Sequence, residues 1–145
     1  MSVLYLLRHG EADAPNAHDE LRRLTDRGFQ QVTRAAGVLP PQLVLYHSPY
    51  VRTIESAQAV ERVAMLTSSH MASWLTPEVA VTQALAQLAL LAGRDTLLVT
   101  HNPLITQLAA TLCGKASSEV MFDLGALARL DSDDWLPGTM TFRWC

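Results

Sequence analysis

Short unbroken apolar runs alternate along this chain with longer segments in which apolar residues recur every three to four positions. Val3-Leu4-Tyr5-Leu6-Leu7, Leu43-Val44-Leu45-Tyr46 and Thr96-Leu97-Leu98-Val99-Thr100 are runs of the first kind. Each is short and rich in residues that suit a pleated surface, so each predicts a buried strand, the last one central. Helical segments lie between them. Thr25 can cap a helix running to about Leu39, with Phe29, Val32 and Ala36 on one face and Pro40-Pro41 ending it. Ser48-Pro49 pairs an N-cap residue with proline at the first helical position and opens a second helix to about Ala64. A third helix is expected from about Pro77 to Leu91, stopped by Gly93. A fourth follows Pro103, carries Leu104, Leu108 and Leu112 on one stripe, and ends at Gly114. A short strand around Met71 to Leu75 completes the middle of the chain. Two edge strands, Ala126 to Leu130 and Thr139 to Trp144, joined through Pro137-Gly138, complete its end.

Strands alternating with helices predict an α/β fold, a three-layer α/β/α sandwich with a mostly parallel sheet covered on both faces. No repeat, low-complexity tract or linker divides the chain, so residues 1–145 are expected to form one domain. Glu11 to Arg23 is polar, contains Pro15, and reads as a loop after the first strand. A chain of 145 residues buries roughly 70% of its unfolded surface, enough for a core without staples.

Composition narrows the function. At 49% hydrophobic and 17% charged the chain is globular, and a net charge of −3 points away from nucleic acid and anionic membranes as partners. Five apolar residues precede Arg8, too few for a signal peptide or a membrane span. Cys113 and Cys145 lack metal-ligand spacing and read as free thiols in a reducing cytosol, Cys113 buried and inert. A cytoplasmic protein is expected.

Three predicted strands end alike, with polar groups just past their C-terminal ends. The first delivers Arg8 and His9 ahead of Gly10, the second Ser48 with Arg52 one turn into its helix, and the third His101 and Asn102. In a parallel sheet these ends share one edge, where open α/β folds place ligand crevices. Helices opening at Ser48-Pro49 and Asn102-Pro103 would aim free backbone N–H groups there, which favours an anion. A guanidinium suits phosphate oxygens, and a neutral imidazole can attack phosphorus. Zinc on His9, His101 and Glu11 is the alternative, and two neighbouring arginines argue against a cation. His18, His47 and His70 read as surface or packing residues, and Trp74, Trp135 and Trp144 as core or edge anchors.

Leu7-Arg8-His9-Gly10-Glu11-Ala12, Leu24-Thr25 with Gly28, Ser48-Pro49-Tyr50-Val51-Arg52, Leu75-Thr76-Pro77 and Val99-Thr100-His101-Asn102-Pro103-Leu104 occur in one order with family-like spacing. In these pieces the chain resembles the histidine phosphatase superfamily, with its phosphoglycerate mutase-like fold. Within it the chain resembles the short bacterial phosphohistidine phosphatases of the SixA type. The resemblance implies that His9 is the nucleophile of a phosphohistidine intermediate. Arg8, Arg52 and His101 would neutralise the phosphoryl oxygens, which needs neither metal nor cofactor. Asn102 would bind substrate, and Asp19 and Arg22 match residues near the pocket mouth of such chains. The superfamily often reads Ala-x-Gln-Thr after the phosphate arginine, where this chain has Thr53-Ile54-Glu55-Ser56, positions expected mainly to support helix packing.

Family members acting on phosphate esters carry a glutamate near Leu75-Thr76-Pro77. Here the nearest carboxylate is Glu78, about one residue away, and reads most simply as a first-turn helix acid. An alkoxide leaving group needs a proton, and a phosphohistidine imidazole leaves far more easily. Residues 64–77 are also too few for the cap that larger members place over the pocket. The implied substrate is a phosphorylated protein, such as a phosphotransfer domain or carrier protein, and the enzyme is expected to be a monomer. A phosphatase of small metabolite or sugar phosphates is the second reading, and a non-catalytic phosphohistidine-binding module the third.

Overall fold

Thr96–Thr100 forms a strand in which every residue is buried. That unbroken apolar character needs cover on both faces, and the computed structural model, which describes residues 2–145, supplies it. In chain order the strands are β1 (Ser2–Arg8), β2 (Leu43–His47), β3 (Leu66–Met71), β4 (Thr96–Thr100), β5 (Leu127–Ser132) and β6 (Thr141–Trp144). The helices are α1 (Asp26–Ala36), α2 (Val51–Glu61), α3 (Val81–Leu91) and α4 (Leu104–Cys113). The six strands make one sheet in the order β3-β2-β4-β1-β5-β6. β3, β2, β4 and β1 run parallel, while β5 and β6 join antiparallel beyond β1.

Strand alternation splits the core in two. Leu4 and Leu6 of β1 and Leu98 of β4 face one side, where α3 and α4 pack with Ala84, Leu88, Leu104, Leu108 and Leu112. Tyr5, Leu7, Leu97 and Val99 face the other, under Val32 and Ala36 of α1 and Ala57 and Val60 of α2. This is the expected three-layer α/β/α sandwich.

Several boundaries differ from expectation. The third strand is Leu66–Met71, with Met71–Leu75 instead entering a short 3₁₀ turn at Ser73–Leu75. Its Leu-Thr-Ser-Ser-His-Met sequence is mostly exposed on the sheet edge and carries no apolar run. β5 is an interior strand between β1 and β6, so only one of the two expected edge strands lies at an edge. α1 has its expected Thr25 cap, whose side chain accepts from the Gly28 N–H, and it ends at Ala36 rather than Leu39. α2 begins at Val51 after Tyr50, and Ser48 keeps its hydroxyl for other partners. α3 begins at Val81, so Glu78 precedes the helix and is not a first-turn acid.

Register sets where the strand ends meet. Arg8 lies beside Thr100, and His47 beside Val99, so His9, Ser48 and His101 emerge at one edge of the sheet. Between β3 and α3 lie only the 3₁₀ turn and a short loop, and nothing there forms a cap domain. Gly10, just past β1, lies against the backbone of Gly28 in α1, and Gly28 lies against Glu11. A Cβ on either glycine would strike backbone atoms that cannot swing away. Gly28→Ala should therefore destabilise the fold by about 1–3 kcal/mol, measured by thermal or urea unfolding. A variant as stable as the parent would show that this approach is not tight.

Candidate active site

His9 leaves β1 with its backbone N–H on the Thr100 carbonyl, which fixes it between the two central strands. Its ring is 6% exposed. Nδ1 lies 2.8 Å from the Gly10 carbonyl, an acceptor only, so Nδ1 carries the proton. Nε2 accepts from Arg52 Nε at 3.3 Å, and this one lone pair lies inside the crevice. Burial, with Arg52, Arg8 and Arg22 nearby, pushes the His9 pKa down to about 4 against the pull of the Gly10 carbonyl. The imidazole is neutral at physiological pH, the form a nucleophile requires.

His101 enters from β4, its ring 5.1 Å from that of His9. Nε2 lies 2.8 Å from Ser48 Oγ, while Nδ1 is buried with no partner. Ser48 Oγ accepts the Tyr50 N–H and keeps its own proton to donate. Burial, then His9, Arg52 and Arg8, push His101 down to about 2. Arg8 sends NH1 to the Phe122 carbonyl at 3.0 Å and leaves Nε buried without a partner. Burial pushes the Arg8 pKa down, against the pull of Asp123, and Arg52 adds to the fall. A crevice with two arginines, two neutral imidazoles and two unanswered buried nitrogens is built for an anion that is a strong acceptor.

Arg52 rises from the first turn of α2. Besides Nε on His9, NH1 donates to the Asp19 carbonyl at 2.8 Å and NH2 to its carboxylate at 3.2 Å. Asp19 also accepts from Arg22 NH1 at 3.0 Å, and Arg22 Nε donates to the Asp13 carbonyl at 2.7 Å. The Arg22 bond, followed by Arg52, holds the Asp19 carboxyl below its usual range. Asn102 does not offer its amide to the crevice. Its Nδ2 donates to the Phe122 carbonyl and its Oδ1 accepts from Thr106.

Two residues expected mainly to support helix packing do more. Ser56 Oγ accepts the Gly10 N–H and donates to the Arg52 carbonyl, joining the nucleophile turn to α2. Glu55, nearly buried, takes the Leu24 N–H on one oxygen and Arg23 on the other, closing the loop that carries Asp19. Their spacing of three and four from Arg52 put them near the site, and only the fold shows what they reach. Glu11 turns to Thr25 and Arg27, away from the two histidines. Among the described residues no three His, Cys, Asp or Glu side chains are grouped to hold a metal ion. His18, His47 and His70 lie outside the crevice contacts, His47 on the Ser48 carbonyl and His70 on Ser68. Cys113 is half-buried, its thiol pushed up to about 11 by burial.

Residues 4–74 match the model of the histidine phosphatase superfamily, branch 1. The phosphohistidine phosphatase SixA of Escherichia coli (strain K12) is 30% identical over 149 residues, covering 97% of this chain and 91% of that protein. The chain belongs to the histidine phosphatase superfamily. A solved structure of the protein histidine phosphatase SixA with tungstate is 28% identical, with a TM-score of 0.85 over 98% of this chain and 94% of that one. A mycobacterial glucosyl-3-phosphoglycerate phosphatase, 17% identical, shares the fold at a TM-score of 0.73, covering all of this chain and 97% of its own. The family together with the SixA relative supports phosphatase activity, the hydrolysis of a phosphoryl group, for this chain. No helix among the described residues is long and apolar enough to cross a membrane.

The buried histidines link this site to stability. Unfolded, both imidazoles take protons near pH 6.5, but the native state resists until about pH 4 for His9 and lower for His101. As pH falls through that window the unfolded state binds more protons, so stability falls with it. Thermal unfolding across the window should show a falling Tm, with a shallower fall for His101→Gln. An identical slope for parent and His101→Gln would contradict the assignment.

Proposed function

We propose that this histidine phosphatase hydrolyses phosphohistidine carried on another protein, through a phosphohistidine intermediate on His9. The observation that supports this best is the buried, neutral His9 ring, with Nδ1–H tied to Gly10 and the Nε2 lone pair facing the cationic crevice. Arg52 Nε passes from Nε2 to an oxygen of the incoming phosphoryl group, and the freed Nε2 lone pair attacks phosphorus in line. The bond from phosphorus to the substrate nitrogen breaks, and its electron pair stays on the departing imidazole. Water then attacks the phosphorylated His9 and returns the electron pair to Nε2. Arg8, Arg52 and His101 take the equatorial oxygens, whose charge grows as the phosphoryl group loosens. The unpartnered Arg8 Nε and His101 Nδ1 are donors free for that task. With the charge met by side chains, the reaction needs no metal.

Asp19 orients Arg52 by holding the far edge of its guanidinium, and Arg22 steadies Asp19. Asn102 contributes through its backbone, since its amide is engaged elsewhere. The short connection between β3 and α3 leaves the crevice uncovered, which suits a phosphoryl group on a folded partner such as a phosphotransfer domain or carrier protein.

Rapid quenching with labelled phosphohistidine protein should trap enzyme-bound label that is lost in acid and kept in base, as a P–N bond demands. His9→Ala should abolish the label while remaining folded, and label that survives acid would point to a serine or threonine ester instead. Turnover should persist in excess EDTA. Arg52→Ala should cost about 3–4 kcal/mol of transition-state stabilisation in kcat, as the loss of one oxyanion donor does. Strict dependence on added zinc or magnesium would overturn this account. If no residue supplies an alkoxide's proton, rates among phosphate esters should rise steeply with leaving-group acidity, nitrophenyl phosphates ahead of sugar phosphates. Sugar phosphates cleaved as fast as phosphohistidine would favour the small-metabolite reading.

A further inference from the structure

Tyr50 ties the crevice to its rim. Its ring meets His101 edge-on at 5.0 Å between centroids, and the Arg52 guanidinium lies over its face at 5.0 Å. Its hydroxyl donates to Glu78 Oε2 at 3.2 Å. One residue thus touches two of the groups that surround the phosphoryl position and ends in a polar contact with an exposed carboxylate. Asp19 also acts on the same hydroxyl electrostatically. The charged and titratable groups facing it are therefore Arg52 of α2, His101 beyond β4, Asp19 of the loop after β1 and Glu78 before α3.

The leaving group departs opposite His9. His9 lies at the buried floor, so departure is toward the rim where the Tyr50 hydroxyl and Glu78 stand. Donating its proton to a carboxylate leaves the phenol oxygen with lone pairs and extra electron density, a good acceptor for a cationic N–H. A phosphohistidine ring protonated on its other nitrogen offers such an N–H, whereas an alkyl or sugar phosphate offers none.

Resting on the phosphohistidine reading, we infer that Tyr50 Oη, polarised by Glu78, accepts the ring N–H of a protonated phosphohistidine and so selects phosphoramidates with a cationic leaving base. As His9 Nε2 bonds to phosphorus, the P–N bond breaks and its electron pair remains on the substrate nitrogen. The ring entered with a proton on its other nitrogen, keeps it, and leaves as neutral imidazole. Tyr50 touches the substrate, and Glu78 is a positioning residue acting through it. By favouring the protonated ring, the pair sustains turnover above the pH at which free phosphohistidine loses that proton. Burial and Glu78 hold the phenol's own pKa above its usual value, so it remains a hydroxyl there.

The test is the pH profile of kcat, which titrates the bound complex, for saturating phosphohistidine protein and, in parallel, for nitrophenyl phosphate. Tyr50→Phe keeps the ring against His101 and Arg52 and removes only the oxygen, and Glu78→Gln keeps a hydrogen-bond acceptor and removes the charge. With phosphohistidine, both variants should move the alkaline limb down by about one pH unit, the size expected for losing one hydrogen bond to a charged group. With nitrophenyl phosphate the limb should stay where the parent has it, whatever the absolute rate. An unmoved limb with phosphohistidine, or equal movement with both substrates, overturns the inference and leaves the proposed reaction standing. A parent enzyme that turns over nitrophenyl phosphate and not phosphohistidine overturns the proposed reaction, and this inference with it.

Discussion

Positive charge buried with too few carboxylates to answer it shapes this molecule's crevice. Arg8 and Arg52 converge there, and among the described residues only Asp19 brings an opposite charge onto either guanidinium through a hydrogen bond. Every other accommodation is weaker. Both histidines stay unprotonated, and the carbonyls of Asp19 and Phe122 and the His9 ring take up guanidinium N–H groups. What remains is an electrostatic deficit that a phosphoryl group can fill. The crevice is therefore organised before anything binds, which is what makes preorganised donors effective against charge that develops during reaction.

Helix α2 is the part of the scaffold that holds this arrangement. Within little more than one turn it supplies Arg52 to the crevice, Glu55 to the loop that carries Asp19, and Ser56 to the turn that carries His9. Its apolar side, Ala57 and Val60, is sunk in the core beneath β4. The same helix thus anchors against the sheet and reaches both connections, so loop and turn share a rigid reference.

How much of this was readable depended on the kind of contact. β1, β2 and β4 are buried strands whose apolar runs stand out, and Thr25 announces α1 because capping is a local event. Arg8, His9, Arg52 and His101 could be brought together on paper because three parallel strands end at one edge. β3 escaped because an exposed edge strand needs no apolar run. Glu55 and Ser56 escaped because their partners across space are the backbone N–H groups of Leu24 and Gly10, which no side-chain pattern marks. Tyr50, part of a recognisable motif, showed its reach to Glu78 only once the loop before α3 was folded back.

Phe122 offers the crevice a carbonyl that both Arg8 and Asn102 use, and its side chain is 2% exposed. That ring packs edge-on against Phe142 and Trp144, at 6.3 and 4.9 Å between centroids, on the outermost strand. A main-chain oxygen carries no residue identity, so its placement is governed wholly by what grips the neighbouring side chain. The final strand, which shows no motif and touches no reacting atom, is thereby a ruler for the position of Arg8. Aromatic bulk at residues 122, 142 and 144 should drift only in concert across descendants of this chain, with a loss at one compensated at another.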